Sequence, residues 1–224
     1  MTHIVEWIWD HGLLRAVGAA GGPLVRRSAL RRARAPVAQI AMPGGDAQGE
    51  VNRYLASSLL ALAEVLEREH GLDRDAAVTL ARAAFLANGR GLMRAATLIW
   101  LRLTPDPFAA LLKLGPGPRM ARLWGRGMEA EEVHAPGQIT LRVTGCAFAA
   151  YFWNAGRSDL TPILCAYDAQ WFAWINGAQQ GLRARRDGTL AEGLGACTFL
   201  FEAVPEPAEQ GVPRPRPRDG DLRP

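Results

Sequence analysis

The sequence predicts an α+β fold: an N-terminal helical layer packed on a small antiparallel sheet, with two helices that carry cysteines. Three observations predict it. Apolar residues recur at helical spacing through the first 128 residues. At about residue 137 the pattern turns to strand alternation. Cys146, Cys165 and Cys197, the only cysteines, all fall in the last third of the chain.

Taken in order, residues 1–20 read as a short apolar helix and residues 26–34 as a basic amphipathic helix with a solvated face. Residues 35–50 hold Pro36, Pro43, Gly44 and Gly45 and read as a linker. A helix over residues 50–70 ends at Gly71. Asp73 is placed to cap the next helix and Asp75 to meet its dipole. That helix continues or restarts near Gly91, Asp106 and Pro107 open a short one, and residues 118–127 suggest another.

The alternation of Ile139, Leu141 and Val143 marks a strand. A helix then runs from Cys146 to Gly156. Thr161 reads as a cap with Pro162 at the first helical position of a helix continuing to about Gly177. Residues 182–190 and 196–204 read as two strands. The expected organisation is residues 1–45 as helix, basic segment and linker, 46–205 as the main α+β domain, and 206–224 as a disordered Pro/Arg-rich tail.

Composition narrows the function. At 224 residues, 49% apolar, the chain can bury a core. The net charge of +4 comes almost wholly from arginine, Lys113 being the one lysine, and no aromatic-plus-basic recognition motif accompanies it. No apolar run reaches the ~18 residues of a membrane span, and the acidic N-terminus, with Glu6 and Asp10, lacks a leader's basic region. Neither nucleic acid nor membrane is therefore an expected partner. Three cysteines without a disulfide pattern suggest a reduced, cytoplasmic setting.

The candidate chemistry lies around the cysteines. Cys165, one turn into a helix capped by Thr161, is the best candidate for a reactive thiol, since helix N-termini stabilise thiolates. Asp168 projects from the same face three residues on. Cys146 follows a strand and opens a helix, again an electropositive position. Cys197 adjoins the final strand. Each cysteine also has a plain reading as a small core residue. Cys146, Cys165, Asp168 and Cys197 together could in principle bind zinc, but no CxxC or HxxxH spacing supports a metal, and none is assigned. His134 is the histidine best placed to approach the cysteines. The aromatics Tyr151, Phe152, Trp153, Tyr167, Trp171, Phe172 and Trp174 form either core packing or the wall of a pocket for a small planar ligand. No phosphate loop, dinucleotide fingerprint or nucleophile elbow occurs.

Residues 143–172 and 188–202 resemble the L-2-amino-thiazoline-4-carboxylic acid hydrolase family. The pattern falls on Cys146, on Cys165 and Asp168, and on Thr189, Leu190, Gly193, Cys197 and Phe199. It departs at Leu194 and Thr198, where the family pattern has acidic residues. The resemblance implies opening of a cyclic amidine or isothiourea ring, in the named reaction to N-carbamoyl-cysteine, with Cys165, Asp168 and Cys146 catalytic. It further implies a substrate pocket built by Cys197, Tyr151 and Trp171, with Arg183, Arg185 or Arg186 holding the substrate carboxylate; it names no cofactor. The element order is also similar to that of small-molecule-binding domains related to vinyl reductases and TRAPP-type trafficking subunits. A non-catalytic ligand-binding or sensory module is the alternative, and a scaffold using the tail is a third.

Overall fold

The computed structural model describes residues 3–114 and 124–204. The order is α1 (His3–Ala19), α2 (Arg27–Val37), α3 (Ala47–Arg68), α4 (Arg74–Ala87), α5 (Arg90–Leu103), α6 (Pro107–Leu114), β1 (Glu129–Ala135), β2 (Gln138–Gly145), α7 (Ala147–Asn154), α8 (Thr161–Asp168), α9 (Gln170–Ala178), β3 (Leu182–Asp187) and β4 (Cys197–Ala203). The chain is α+β, with one antiparallel sheet ordered β1-β2-β4-β3. Among the described residues no helix is long and apolar enough to cross a membrane.

Local signals account for most boundaries. Asp46 caps α3 by accepting from the Gly49 N–H at 2.8 Å, and Asp73 caps α4 by accepting from Ala76 at 2.8 Å. Asp106 does the same for α6, accepting from Ala109 at 2.8 Å. Helix α4 ends at Asn88, and Gly89, at φ +72°, lets the chain restart as α5.

Apolar side chains segregate into two cores. One joins α1–α4 to α7 and α8 through Leu13, Leu30, Leu62, Phe85, Phe152 and Ile163. The other covers the inner face of the sheet, where Ile139, Leu141, Val143, Phe199 and Phe201 meet Phe172 and Ile175 of α9 and Leu101 of α5. The helices α1 and α2 thus belong to the first core: α2 buries Ala29, Leu30 and Val37.

Several expectations need correction. The basic helix is not merely solvated, because Arg34 reaches a fully buried Asp10 at 2.6 Å and Arg27 reaches it at 3.4 Å. The segment read as linker is partly helical, since α2 runs through Pro36 to Val37 and α3 starts at Ala47. Strand β1 was not foreseen: it forms a hairpin with β2 across Pro136 and Gly137. Thr161 does not cap α8; it is buried within the helix's first turn, preceded by a 3-10 turn over Ser158–Leu160. The helix expected to reach Gly177 breaks at Ala169 into α8 and α9. Of the cysteines, only Cys165 lies within a helix; Cys146 immediately precedes α7 and Cys197 opens β4. The tail expected over 206–224 lies outside the described residues, as does most of the helix expected over 118–127.

Candidate active site

A cavity of about 290 Å³ opens where the two cores meet. Helix α3 lends it Gln48, Asn52 and Leu55, the turn before β1 lends Trp124 and Met128, and α8 lends Leu164, Cys165, Tyr167 and Asp168. Val143, Cys146, Phe148, Arg186, Cys197 and Phe199 complete the described lining. The three cysteines and Asp168, separated by as many as 51 positions in sequence, therefore share one space. Among the described lining residues, Asp168 and Arg186 are the two charged ones.

Asp168 ends α8, and burial pushes its carboxyl up to about 6, although Arg186 and the side chain of Trp171 draw it down. Arg186 sits on β3 with the parity of Leu182 and Ala184, the two buried residues of that strand, so alternation turns it inward. Its Nη1 donates to the Cys165 carbonyl at 2.8 Å, which fixes the guanidinium against α8. Arg183 and Arg185 have the opposite parity and are exposed, and Arg185 pairs with Asp187 at 2.6 Å. The arginine of the described lining is thus Arg186, whereas Arg183 and Arg185, expected to bind substrate, lie outside it.

The thiols differ in setting. Cys165 lies at the fifth position of α8, past the first turn, and burial pushes it up to about 12, with Arg186 opposing. The expected stabilisation of a Cys165 thiolate by the helix start is therefore absent. Burial also raises Cys146, although the N–H groups of Ala149 and Phe148 in the first turn of α7 pull the other way. Cys197 is raised by burial and accepts from the Leu190 N–H at 3.2 Å. Among the described residues no group of three or more His, Cys, Asp and Glu side chains is arranged to hold a metal ion.

Two further residues expected near the site lie elsewhere. Tyr151 is fully buried and donates its hydroxyl to the Val37 carbonyl at 2.7 Å, so it joins α7 to α2 and does not line the cavity. His134 sits on the exposed edge strand β1 and pairs with Glu132, away from the thiols. Trp171 stands behind the cavity: it stacks on Phe201 at 5.7 Å and adjoins Phe172 at 4.1 Å, acting on Asp168 from outside the lining. The two departures from the family pattern also miss the cavity. Leu194 is 52% exposed, and Thr198 follows Cys197 on β4 and so faces the other side of the sheet. Neither removes a carboxylate from the lining.

Sequence reasoning missed the α3 wall and Trp124. The Asn52 Nδ2 donates to the Trp124 carbonyl at 2.8 Å, and the Gln48 Nε2 donates to the Asn52 Oδ1 at 3.1 Å. Asp46 holds this wall to the turn before β1: besides capping α3, its carboxylate accepts from the Arg126 N–H at 3.0 Å. Gly127 permits the approach, because a Cβ there would meet the Pro43 carbonyl oxygen at 2.2 Å. The residues before α3 did carry one readable signal, an Asp followed by a helical repeat; their distance in sequence from the cysteines hid their part in the site.

A protein-family profile described as L-2-amino-thiazoline-4-carboxylic acid hydrolase matches residues 51–201. The chain belongs to this family. No curated protein and no solved structure matches it. The hydrolase-family match runs from within α3 to β4 and so takes in every described lining residue of the cavity but Gln48.

Proposed function

We propose that the protein hydrolyses a small cyclic amidine carboxylate such as L-2-amino-thiazoline-4-carboxylate, opening the ring to an N-carbamoyl amino acid. One observation carries the reading: among the described residues, an otherwise largely apolar lining offers one carboxylate, Asp168, and one guanidinium, Arg186. The substrate presents the complementary pair, a protonated amidine and a carboxylate. Arg186 receives the substrate carboxylate in a charge-assisted contact, and Asp168 faces the amidine. With the ring nitrogen protonated, the carbon between nitrogen and sulfur is electrophilic.

Water, rather than Cys165, is the nucleophile in this reading, because a thiol pushed up to about 12 is uncharged at neutral pH. Asp168, at about 6, is suited to a general base there. Water adds to the ring carbon as Asp168 takes its proton. The carbon–sulfur bond then breaks, the sulfur leaves as a thiolate and takes the proton back from Asp168. The remaining hydroxyl becomes the carbonyl of the carbamoyl group and releases its proton to solvent, balancing the one that protonated the ring. Cys146, Cys165 and Cys197 shape the pocket as neutral, soft contacts. The same uncharged thiols also favour a second reading, a ligand-binding module of the same family that does no chemistry.

Thiol release from L-2-amino-thiazoline-4-carboxylate separates these. Turnover is expected in the parent protein, with at least a tenth of it kept by Cys165→Ser and a loss of about a hundredfold or more in Asp168→Asn. Arg186→Lys is expected to raise KM more than it lowers kcat, since a lysine cannot make the bidentate contact. Abolition by Cys165→Ser would instead support a covalent route. Binding without turnover in the parent would leave the module.

A further inference from the structure

Resting on that reading of the site, we propose that the ring this cavity takes carries an apolar substituent, of up to about the size of a phenyl group, on the ring carbon next to sulfur. The argument starts from volume. The cavity of about 290 Å³ would hold roughly ten waters. The unsubstituted substrate has about nine non-hydrogen atoms, and bonded atoms pack more closely than waters, so it fills only roughly half of that space. Unfilled apolar space forfeits contacts, so the substrate that fits is larger.

The character of the remaining wall says what fills it. Among the described lining residues Asp168 and Arg186 account for the charges, and most of what remains is apolar, Leu55, Trp124, Met128, Phe148 and Phe199 among it. Two amides also line the cavity: Asn52 is occupied at both ends, by the Trp124 carbonyl and by Gln48, and Gln48 donates to Asn52. A polar substituent would therefore lie mostly against carbon, at a cost, whereas an apolar one gains on leaving water. Chemistry fixes the attachment point. A group on the exocyclic nitrogen would stand between the amidine and Asp168, and the carbon bearing the carboxylate is committed to Arg186. The carbon next to sulfur is the ring position still free. Hydrolysis is unchanged by the substituent: water adds, the carbon–sulfur bond breaks, and the product is a β-substituted N-carbamoyl-cysteine.

The test compares kcat/KM for 2-amino-thiazoline-4-carboxylate with that for its 5-phenyl derivative, by thiol release. A calorimetric Kd for each on Asp168→Asn provides a second readout. At least a tenfold preference for the derivative is expected in both, and Leu55→Phe, which fills the apolar end, should shrink that preference by about tenfold. An equal or lower value for the derivative in the parent protein overturns the substituent while leaving the hydrolase reading intact. Failure of both compounds to bind or react overturns the hydrolase reading, and the substituent with it. The comparison in the parent protein needs no variant to fold.

Discussion

At the scale of single residues, Asp168 links rate to stability. Its carboxyl ionises at about 6 in the folded protein, above the ordinary 3.8. A folded-state value raised in this way means that the native protein holds the proton more tightly than the unfolded chain. The contribution of Asp168 to stability is therefore present below about pH 4 and is lost as pH rises through 6. In the proposed reaction turnover needs the ionised form and should rise over the same interval, with an apparent pKa near 6 in the pH–rate profile. Asp168→Asn is accordingly expected to melt higher than the parent at pH 7.5 and to show little gain at pH 4. Thermal unfolding at the two pH values checks this, and an equal gain at both would mean that ionisation is not its source. Arg186 shows what was legible at this scale. In Leu-Arg-Ala-Arg-Arg-Asp, the two apolar residues set the inward parity and only Arg186 shares it. Period-two reasoning alone distinguishes it from Arg183 and Arg185. The thiol settings were not legible, because burial, not position along a helix, decides them.

At the scale of elements, the first three helices are clasped by one buried carboxylate. Asp10 on α1 accepts from Arg34 on α2 at 2.6 and 3.2 Å and from the Tyr54 hydroxyl on α3 at 2.8 Å. The Arg34 guanidinium also lies over the Tyr54 ring at 4.4 Å and donates to Ser58 at 3.1 Å. Asp10→Ala would leave Arg34 buried without its counter-charge and should cost about 3 kcal/mol or more, read from urea unfolding. A loss under about 1 kcal/mol would mean that water replaces the carboxylate. Helices and strands with one buried face announced themselves by periodicity, as Ile139, Leu141 and Val143 did. Strand β1 did not, because it is exposed along nearly its whole length and has no face to alternate. The break at Ala169 was hidden for the opposite reason: apolar residues continue from α8 into α9, and neither glycine nor proline marks the join.

At the scale of the whole molecule, the site is the meeting place of two cores, and α1 and α2 form part of one of them. Leu13, Val17 and Leu30 are fully buried, and Tyr151 on α7 is tied to the end of α2. A chain beginning at residue 46 would expose that face of α3, α4 and α7. It is expected to give a poorly cooperative melt and to bind ligand at least tenfold more weakly than the full chain. A truncated protein with a parent-like melt would show that the first 45 residues are an accessory layer. The sheet carries a different consequence in its edges. One outer strand, β1, bears Glu129, Glu131 and Glu132; the other, β3, bears the exposed Arg183 and Arg185 against a single acid, Asp187. Two copies meeting by the same edge bring like charges together, so each edge is a fence against its own kind. Copies meeting by opposite edges attract, and such head-to-tail contacts run on into open chains unless their rotation closes a ring. Salt, which ordinarily favours clumping by weakening repulsion, should here loosen the contact between opposite edges that would chain copies together.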